Sequence, residues 1–197
     1  MQAEREHTGG AGRAAGAGEA PLLAVEGLEV AFPTLRGRVA ALRGVDLALR
    51  PGEIVALVGE SGSGKSTVGN ALMGLLPPGA QARIGGRALF RQRDGSTVDL
   101  LSLRRAAMRR IRGNEISMIF QETMTSLNPV FTVGSQIAEG LRVHQKLSRK
   151  EARQRAIDML REVRIPAPEQ RVDEYPHELS GGMRQRVMIA MALACEP

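Results

Sequence analysis

Tryptophan is absent from this chain of 197 residues, tyrosine occurs once, and aromatic residues make up 3%. Few flat rings are therefore available to stack on nucleic-acid bases. Lysine is scarce too. Lys65, Lys146 and Lys150 stand among 27 basic residues, so arginine supplies the rest of a net charge of +6. Without stacking platforms, that charge reads as a solvated surface, or one facing anionic headgroups, rather than a nucleic-acid site. One cysteine, Cys195, excludes an internal disulfide; in its apolar helical run it reads as core. No apolar run approaches the roughly 18 residues that a membrane helix needs. The N-terminus lacks the apolar stretch of a signal peptide, so the chain is expected to stay in the cytosol.

The length suits one good core, or one domain with a sizeable subdomain, and 43% hydrophobic residues is ordinary for a globular protein. Residues 1–20, mostly Gly, Ala and charge, read as a disordered tail. Leu28, Val30 and Phe32 alternate with Glu29 and Ala31, and Val45, Leu47 and Leu49 alternate with Asp46, Ala48 and Arg50. Both runs read as half-buried strands. Pro51-Gly52 turns the chain, and Gly85-Gly86 reads as a hairpin turn, so a small antiparallel sheet is expected. Ile54 to Val58 and Ile116 to Phe120 read as buried parallel strands. Ser102 is placed to cap a short helix running to about Ile111, whose arginines form a solvated face. Beyond residue 120 the pattern is helix and loop. Thr132 caps a helix with Val133, Ile137 and Leu141 on one stripe. Ser148 to Glu151 fits a capping box, and the helix after it turns Ala156, Ile157, Leu160 and Val163 inward before 165–168 breaks it.

Between the strand ending at Val58 and a helix expected from Val68 to Leu76, stopped by Pro77-Pro78-Gly79, lies Gly59-Glu60-Ser61-Gly62-Ser63-Gly64-Lys65-Ser66-Thr67. It fits G-x-x-x-x-G-K-[ST] in the strand–loop–helix context that this pattern requires. The glycines let backbone N–H groups point inward, and the helix start adds its positive dipole end. The dipole contributes roughly 0.3–1 kcal/mol, whereas micromolar binding needs about 8 kcal/mol. Several amides, the Lys65 ammonium and a metal ion must therefore act together. Lys65 is expected on the β- and γ-phosphates and the Ser66 hydroxyl on Mg²⁺.

A second motif, Leu179-Ser180-Gly181-Gly182-Met183-Arg184-Gln185, precedes an apolar helix from Val187 to Leu193. Taken alone it reads equally as an ordinary helix cap. Together, the two motifs make the chain resemble the ATP-binding subunit of ABC transporters. Residues 59–66 look like its Walker A loop and 179–186 like its signature sequence. Residues 118–137 and 175–193 resemble the peptide and nickel importer branch, with Thr123 where that branch usually has proline. The resemblance runs from about Leu22 to Pro197. It implies an α/β fold: an incomplete P-loop NTPase (RecA-like) core with an N-terminal antiparallel β subdomain in 21–120, and an α-helical subdomain with the signature in 121–197.

The resemblance implies the rest. ATP and Mg²⁺ would bind at Gly59 to Thr67, with Ser66 and Gln121 as metal ligands. Gln121 would position the attacking water and couple the site to transport. Phe32 stands where the family often stacks adenine, and equally reads as strand core. Ser180, Gly181 and Gly182 would close over the ATP of a second ATP-binding subunit, in a homo- or heterodimer. Two membrane-spanning permease subunits, contacted by the segment from Gln121 to Gln136, and indirectly an extracytoplasmic solute-binding protein complete the expected assembly, peripheral to the cytoplasmic face of the inner membrane. The family continues into a Walker B strand, a catalytic glutamate and a switch histidine, none of which is found here. Neither His144 nor His177 stands in for that histidine. The chain therefore resembles the N-terminal portion of such a subunit, inactive as an isolated piece, and a non-catalytic nucleotide- or partner-binding fragment is a reading to weigh beside it. A P-loop kinase has no use for the second motif. A nucleic-acid-associated ATPase with both motifs separates them by a coiled coil, and the interval from Lys65 to Ser180 carries no sustained heptads.

Overall fold

The structure is a computed structural model describing residues 20–35, 37–120 and 126–197. The tail read over residues 1–20 lies, up to residue 19, outside the described residues, as do Gln121 and Thr123. Two compact units divide inside one helix, between Met108 and Arg109.

The first unit is built on an antiparallel sheet in the order β2-β1-β3-β4, with β1 Leu23–Thr34, β2 Gly37–Leu49, β3 Arg83–Arg91 and β4 Thr97–Asp99. Leu28 and Val30 of β1 are buried, as the alternation requires, while Phe32 is half-buried; Val25 is buried too because the bulge at Gly27 resets the period. Val45, Leu47 and Leu49 pair with Leu28, Val25 and Leu23 across the β1–β2 ladder. Helix α1, Lys65–Leu72, lies against β1 and β2 and buries Val68 and Ala71. It stops earlier than expected, because Gly74 takes a left-handed backbone at φ 58° and closes the end well before Pro77.

The Gly85-Gly86 turn is not formed. Both glycines lie inside the continuous strand β3, where Gly86 has φ 89° and faces the backbone of Glu26 and Gly27. A Cβ there would overlap the carbonyl oxygens of both residues. Gly86 faces a bulge in β1, where the β1–β3 register shifts between Glu26 and Glu29 and Gly27 and Leu28 stand opposite Gly86 alone. The turn instead falls at Gly95, where Gln92 N–H donates to Ser96 O at 2.8 Å. Ser102 does not cap the next helix either. It ends a 3₁₀ turn, its hydroxyl donating to Asp99 O at 2.9 Å, and α2 spans Arg105–Ile111.

The two strands expected to form a parallel core have no ladder. Residues 53–60 are irregular, with Ile54 97% and Val58 85% exposed, and the 116–120 run makes only one bridge, Ile116 to Arg112. A parallel strand is stable only between neighbours that take its N–H and C=O groups, and the described residues supply none beside either run.

The second unit is helical, with α3 Val133–His144, α4 Arg149–Glu162, the short α5 Pro168–Arg171 and α6 Gly181–Leu193. The caps stand as read. Thr132 Oγ1 accepts from Ser135 N–H, and Ser148 with Glu151 forms the reciprocal capping box. Helices α3, α4 and α6 pack around Val133, Ile137, Leu141, Ala156, Leu160, Val187 and Cys195, all buried, with Val163 partly buried against them. Leu160 is fully enclosed. Leu160→Ala is expected to cost about 2–5 kcal/mol, because transfer and cavity terms add. Urea denaturation followed by helical circular dichroism would read this as a lower midpoint.

Arg153 holds Asp173 with two hydrogen bonds of 2.6 and 2.8 Å. Those hydrogen bonds, and then the guanidinium charge, lower the Asp173 pKa below its ordinary 3.8. The sign is that of a depressed carboxylate. The pair's contribution is complete above that ordinary value and is lost as pH falls through the lower folded value. Both side chains are largely exposed, so the contribution is small. An Asp173→Asn chain is expected to show a shallower loss of melting temperature than the parent as pH falls below about 3.8; parallel melts across that range check it.

Candidate functional site

Gly62 and Gly64 have φ of 79° and 97°, so the chain between Gly59 and Lys65 turns through backbone that other residues rarely adopt. Gly64 also lies so close to β2 that an added Cβ would meet Leu42 Cδ2 at 2.8 Å and Ala41 O at 3.0 Å. Glycine is required there twice over, by angle and by space. This second reason has no signal in the sequence.

Gly64 is the N-cap of α1, and no side chain caps the helix. No acidic residue lies in the first turn. The N–H groups at this end therefore face outward without a side-chain acceptor, which is the arrangement that accepts an anion. The Lys65 ammonium folds back over the loop. It donates to Gly59 O and Glu60 O, both at 2.7 Å, and to Ser63 Oγ at 3.3 Å. The loop's own carbonyls thus hold a positive charge at its mouth. Ser66 is exposed on the first turn and Thr67 is half-buried. Ser61 and Gly62 are exposed at the tip, and Ser63 N–H donates to Glu60 O at 3.2 Å.

Phe32 belongs to the same unit. It is half-buried in β1 opposite Val39 of β2, two residues from the end of β1 where the chain turns into β2. Gln121 lies outside the described residues.

In the second unit, Ser180 is the N-cap of α6, and its Oγ accepts from Met183 N–H at 3.3 Å. One hydroxyl lone pair is committed to the helix, while Gly181 and Gly182 are exposed, and, its chain neighbours and its own helix's backbone apart, no described atom lies within 4 Å of a Cβ built on Gly182. This helix start therefore lets another backbone or a ligand come close. Its approach is braced by Arg184, whose guanidinium donates to Pro176 O and Leu179 O at 3.3 and 2.9 Å. His177, read as a surface or packing residue, stacks on Tyr175 with ring centroids 5.7 Å apart.

A bracing residue that went unread is Gln136. Its amide accepts from Asn128 N–H at 2.9 Å and donates to Asn128 O and Phe131 O, each at 3.0 Å. One side chain pins the 128–131 turn and presents Val130 and Phe131, 70% and 54% exposed, at its tip. A glutamine at a polar helix position gives no sequence signal for such a role.

A match to the family described as ABC transporter covers residues 42–197. The chain belongs to the ABC transporter family. It is 51% identical over 176 residues to the dipeptide transport ATP-binding protein of Bacillus subtilis (strain 168), covering 89% of this chain and 51% of that protein. It is 54% identical over 177 residues to the glutathione import ATP-binding protein of Salmonella typhimurium, covering 89% of this chain and 28% of that protein. The chain thus spans about half the length of the Bacillus relative, and the same holds for a relative in Brucella abortus (strain 2308). Among solved structures, the dimeric ATP-binding cassette MJ0796 bound to ADP and Pi matches with a TM-score of 0.73 at 29% identity, over 89% of this chain and 70% of that one. These likenesses place the fold among the α/β cassettes of P-loop NTPases, although the 54–58 and 116–120 strands carry no parallel ladder here.

The loop fits a nucleotide phosphate with its metal. An uncapped helix start, the Lys65 ammonium at the loop mouth and an exposed hydroxyl at Ser66 are hard, oxygen-directed groups of the kind that bind phosphate and Mg²⁺. No helix among the described residues is long and apolar enough to cross a membrane.

Proposed function

We propose that this chain carries the nucleotide-binding part of a subunit that powers import of peptides or a related solute by binding and hydrolysing ATP. The observation that carries the reading is the loop from Gly59 to Thr67, with its uncapped helix start and the Lys65 ammonium at its mouth. On ATP binding, Lys65 exchanges the Gly59 and Glu60 carbonyls for β- and γ-phosphate oxygens. The amides of the loop and of the first turn of α1 take the remaining oxygens, and Phe32 stacks on adenine. Ser66 and Gln121 would hold Mg²⁺. When bound, Mg²⁺ would supply positive charge that offsets the charge developing on the transferred phosphate.

Ser180, Gly181 and Gly182 of one subunit cover the γ-phosphate held by the other, which is the use for an open, side-chain-poor helix start. Gln121 orients the water that attacks the γ-phosphorus. The bond to the bridging oxygen breaks, and ADP and phosphate leave. Closure has a higher affinity for ATP than for its products, and that difference drives two membrane-spanning permease subunits between states. The pinned 128–131 turn faces those subunits. An extracytoplasmic binding protein selects the solute, and the assembly works at the cytoplasmic face of the inner membrane.

The test is ATP turnover by the full-length subunit reconstituted with its permease subunits, with and without solute-loaded binding protein. Turnover that ignores both would count against an import role. In that system Gln121→Ala is expected to leave ATP affinity within a few-fold of the parent and to lower the solute-stimulated rate. A large loss of affinity with normal turnover per bound ATP would refute the role given to Gln121.

A second reading, a polypeptide that binds nucleotide or a partner without turnover, is favoured for residues 1–197 alone by the exposed run at Ile54 and Val58.

A further inference from the structure

A groove of about 220 Å³ runs between α3 and α4 in the helical unit. Its floor is made of small residues of α3, Gly134, Ser135 and Ala138, and its rim carries Arg142, Arg149 and Arg153. Arg149 and Arg153 are one turn apart on α4, so they share a face, and Arg142 comes from the neighbouring helix. Among the described residues that line the groove none is a carboxylate; the nearest to the rim by pairing is Asp173, bonded to Arg153.

The pairing of the arginines separates these positions from their neighbours. Elsewhere on α4, Arg155 binds Glu162 and Glu196, and Arg161 binds Asp158 and Glu169. Arg153 is anchored by Asp173 in a two-pronged pair, which fixes its guanidinium at the rim. Arg142 and Arg149 have neither an ion pair nor a hydrogen bond among the described residues. At the far end of the groove, Thr132 Oγ1 accepts from Ser135 N–H and keeps its own hydrogen for a further acceptor.

We propose that this groove is a second anion site, separate from the Gly59–Thr67 loop, and that it takes an anionic phosphate group. Water occupies about 30 Å³ per molecule, so the groove has room for a phosphate group and ordered solvent. Guanidinium forks match phosphate oxygens in pairs, and a tetrahedral group can meet forks arriving from two helices, where a planar carboxylate offers two oxygens in one plane. The small floor residues let the group sit between the helices. The phosphate comes either free in solution or on an anionic lipid headgroup, and the chemistry of recognition is the same. The site does not rest on the nucleotide reading, since every residue in it belongs to the helical unit.

The experiment uses the full-length subunit carrying Lys65→Ala, so that the glycine loop does not report. One arm titrates inorganic phosphate by calorimetry, with acetate as the carboxylate control. The other floats the protein with vesicles of phosphatidylglycerol in phosphatidylcholine, against phosphatidylcholine alone. Arg142→Gln with Arg149→Gln is expected to weaken binding about tenfold or more in whichever arm the parent binds. The charge-matched Arg104→Gln with Arg105→Gln should change it less than about twofold if diffuse charge is not the cause. Ala138→Leu, which fills the floor without altering charge, should weaken binding as the arginine pair does, with an unchanged circular dichroism spectrum as the check on folding. Binding in the calorimetric arm identifies a free phosphate, and binding to anionic vesicles identifies a headgroup. The proposal is overturned if the parent binds in neither arm, if acetate binds as well as phosphate, if both arginine pairs cost the same, or if Ala138→Leu, correctly folded, binds like the parent.

Discussion

Replacing Lys65 by alanine in the full-length subunit is expected to remove most ATP binding. In the structure the ammonium makes three hydrogen bonds, all to its own loop and none to another element. Its loss leaves the Gly59 and Glu60 carbonyls facing water, because both residues are exposed, so the cost to folding is small. The cost to binding is large. Truncating one member of a desolvated charge pair costs roughly 2–5 kcal/mol, on the order of a hundredfold or more in affinity. Titration with a fluorescent nucleotide measures this directly, and a thermal melt on the same sample separates it from unfolding. An unchanged dissociation constant would remove Lys65 from the site. The contrast matters for the groove proposed above, since Lys65→Ala should leave binding there untouched.

A polypeptide of residues 1–197 alone is expected to release no phosphate from ATP in multiple turnovers. Within these residues no carboxylate stands on an apolar strand after α6, so Ser66 and Gln121 are the side chains proposed for the metal and no general base is recognisable. Loss of one positioned catalytic group typically lowers a rate by about 10²–10⁴, and here several roles go unfilled together. The exposed side chains of Ile54 and Val58 add a second cost, since an uncovered apolar run without strand partners favours aggregation over a stable core. Mg²⁺-dependent phosphate release is to be assayed beside a Lys65→Ala control. Steady turnover that disappears in the control would show that a carboxylate already in this chain fills the missing role.

Local signals were legible wherever the physics is local. The caps at Thr132, Ser148 and Ser180 could be read because a hydroxyl three residues before an amide closes the same short ring in any protein. The buried stripe of Val133, Ile137 and Leu141 follows from helical period, and the alternation from Leu28 to Val30 follows from the strand period, which ends at the register shift before Ala31 and Phe32. The glycine loop was legible for a related reason: positive φ at Gly62 and Gly64 and a helix beginning at Lys65 are set by neighbouring residues.

What tertiary structure decided were the features whose partner is distant in sequence. Gly85 and Gly86 have the composition of a turn, yet β1 runs past them as a ladder partner, and Gly86 lies against the backbone of a bulge in β1, where Gly27 and Leu28 stand opposite it. Ile54 to Val58 has the composition of a buried strand, yet hydrophobicity does not supply hydrogen-bond partners, and without strands on its flanks it stays irregular. Gly64 against Ala41, Gln136 across the 128–131 turn, and the arginines of α3 and α4 around one groove likewise depend on elements meeting in space. A sequence specifies its hydrogen-bonding rings of three or four residues by itself; which surfaces those elements then bring together is set by packing.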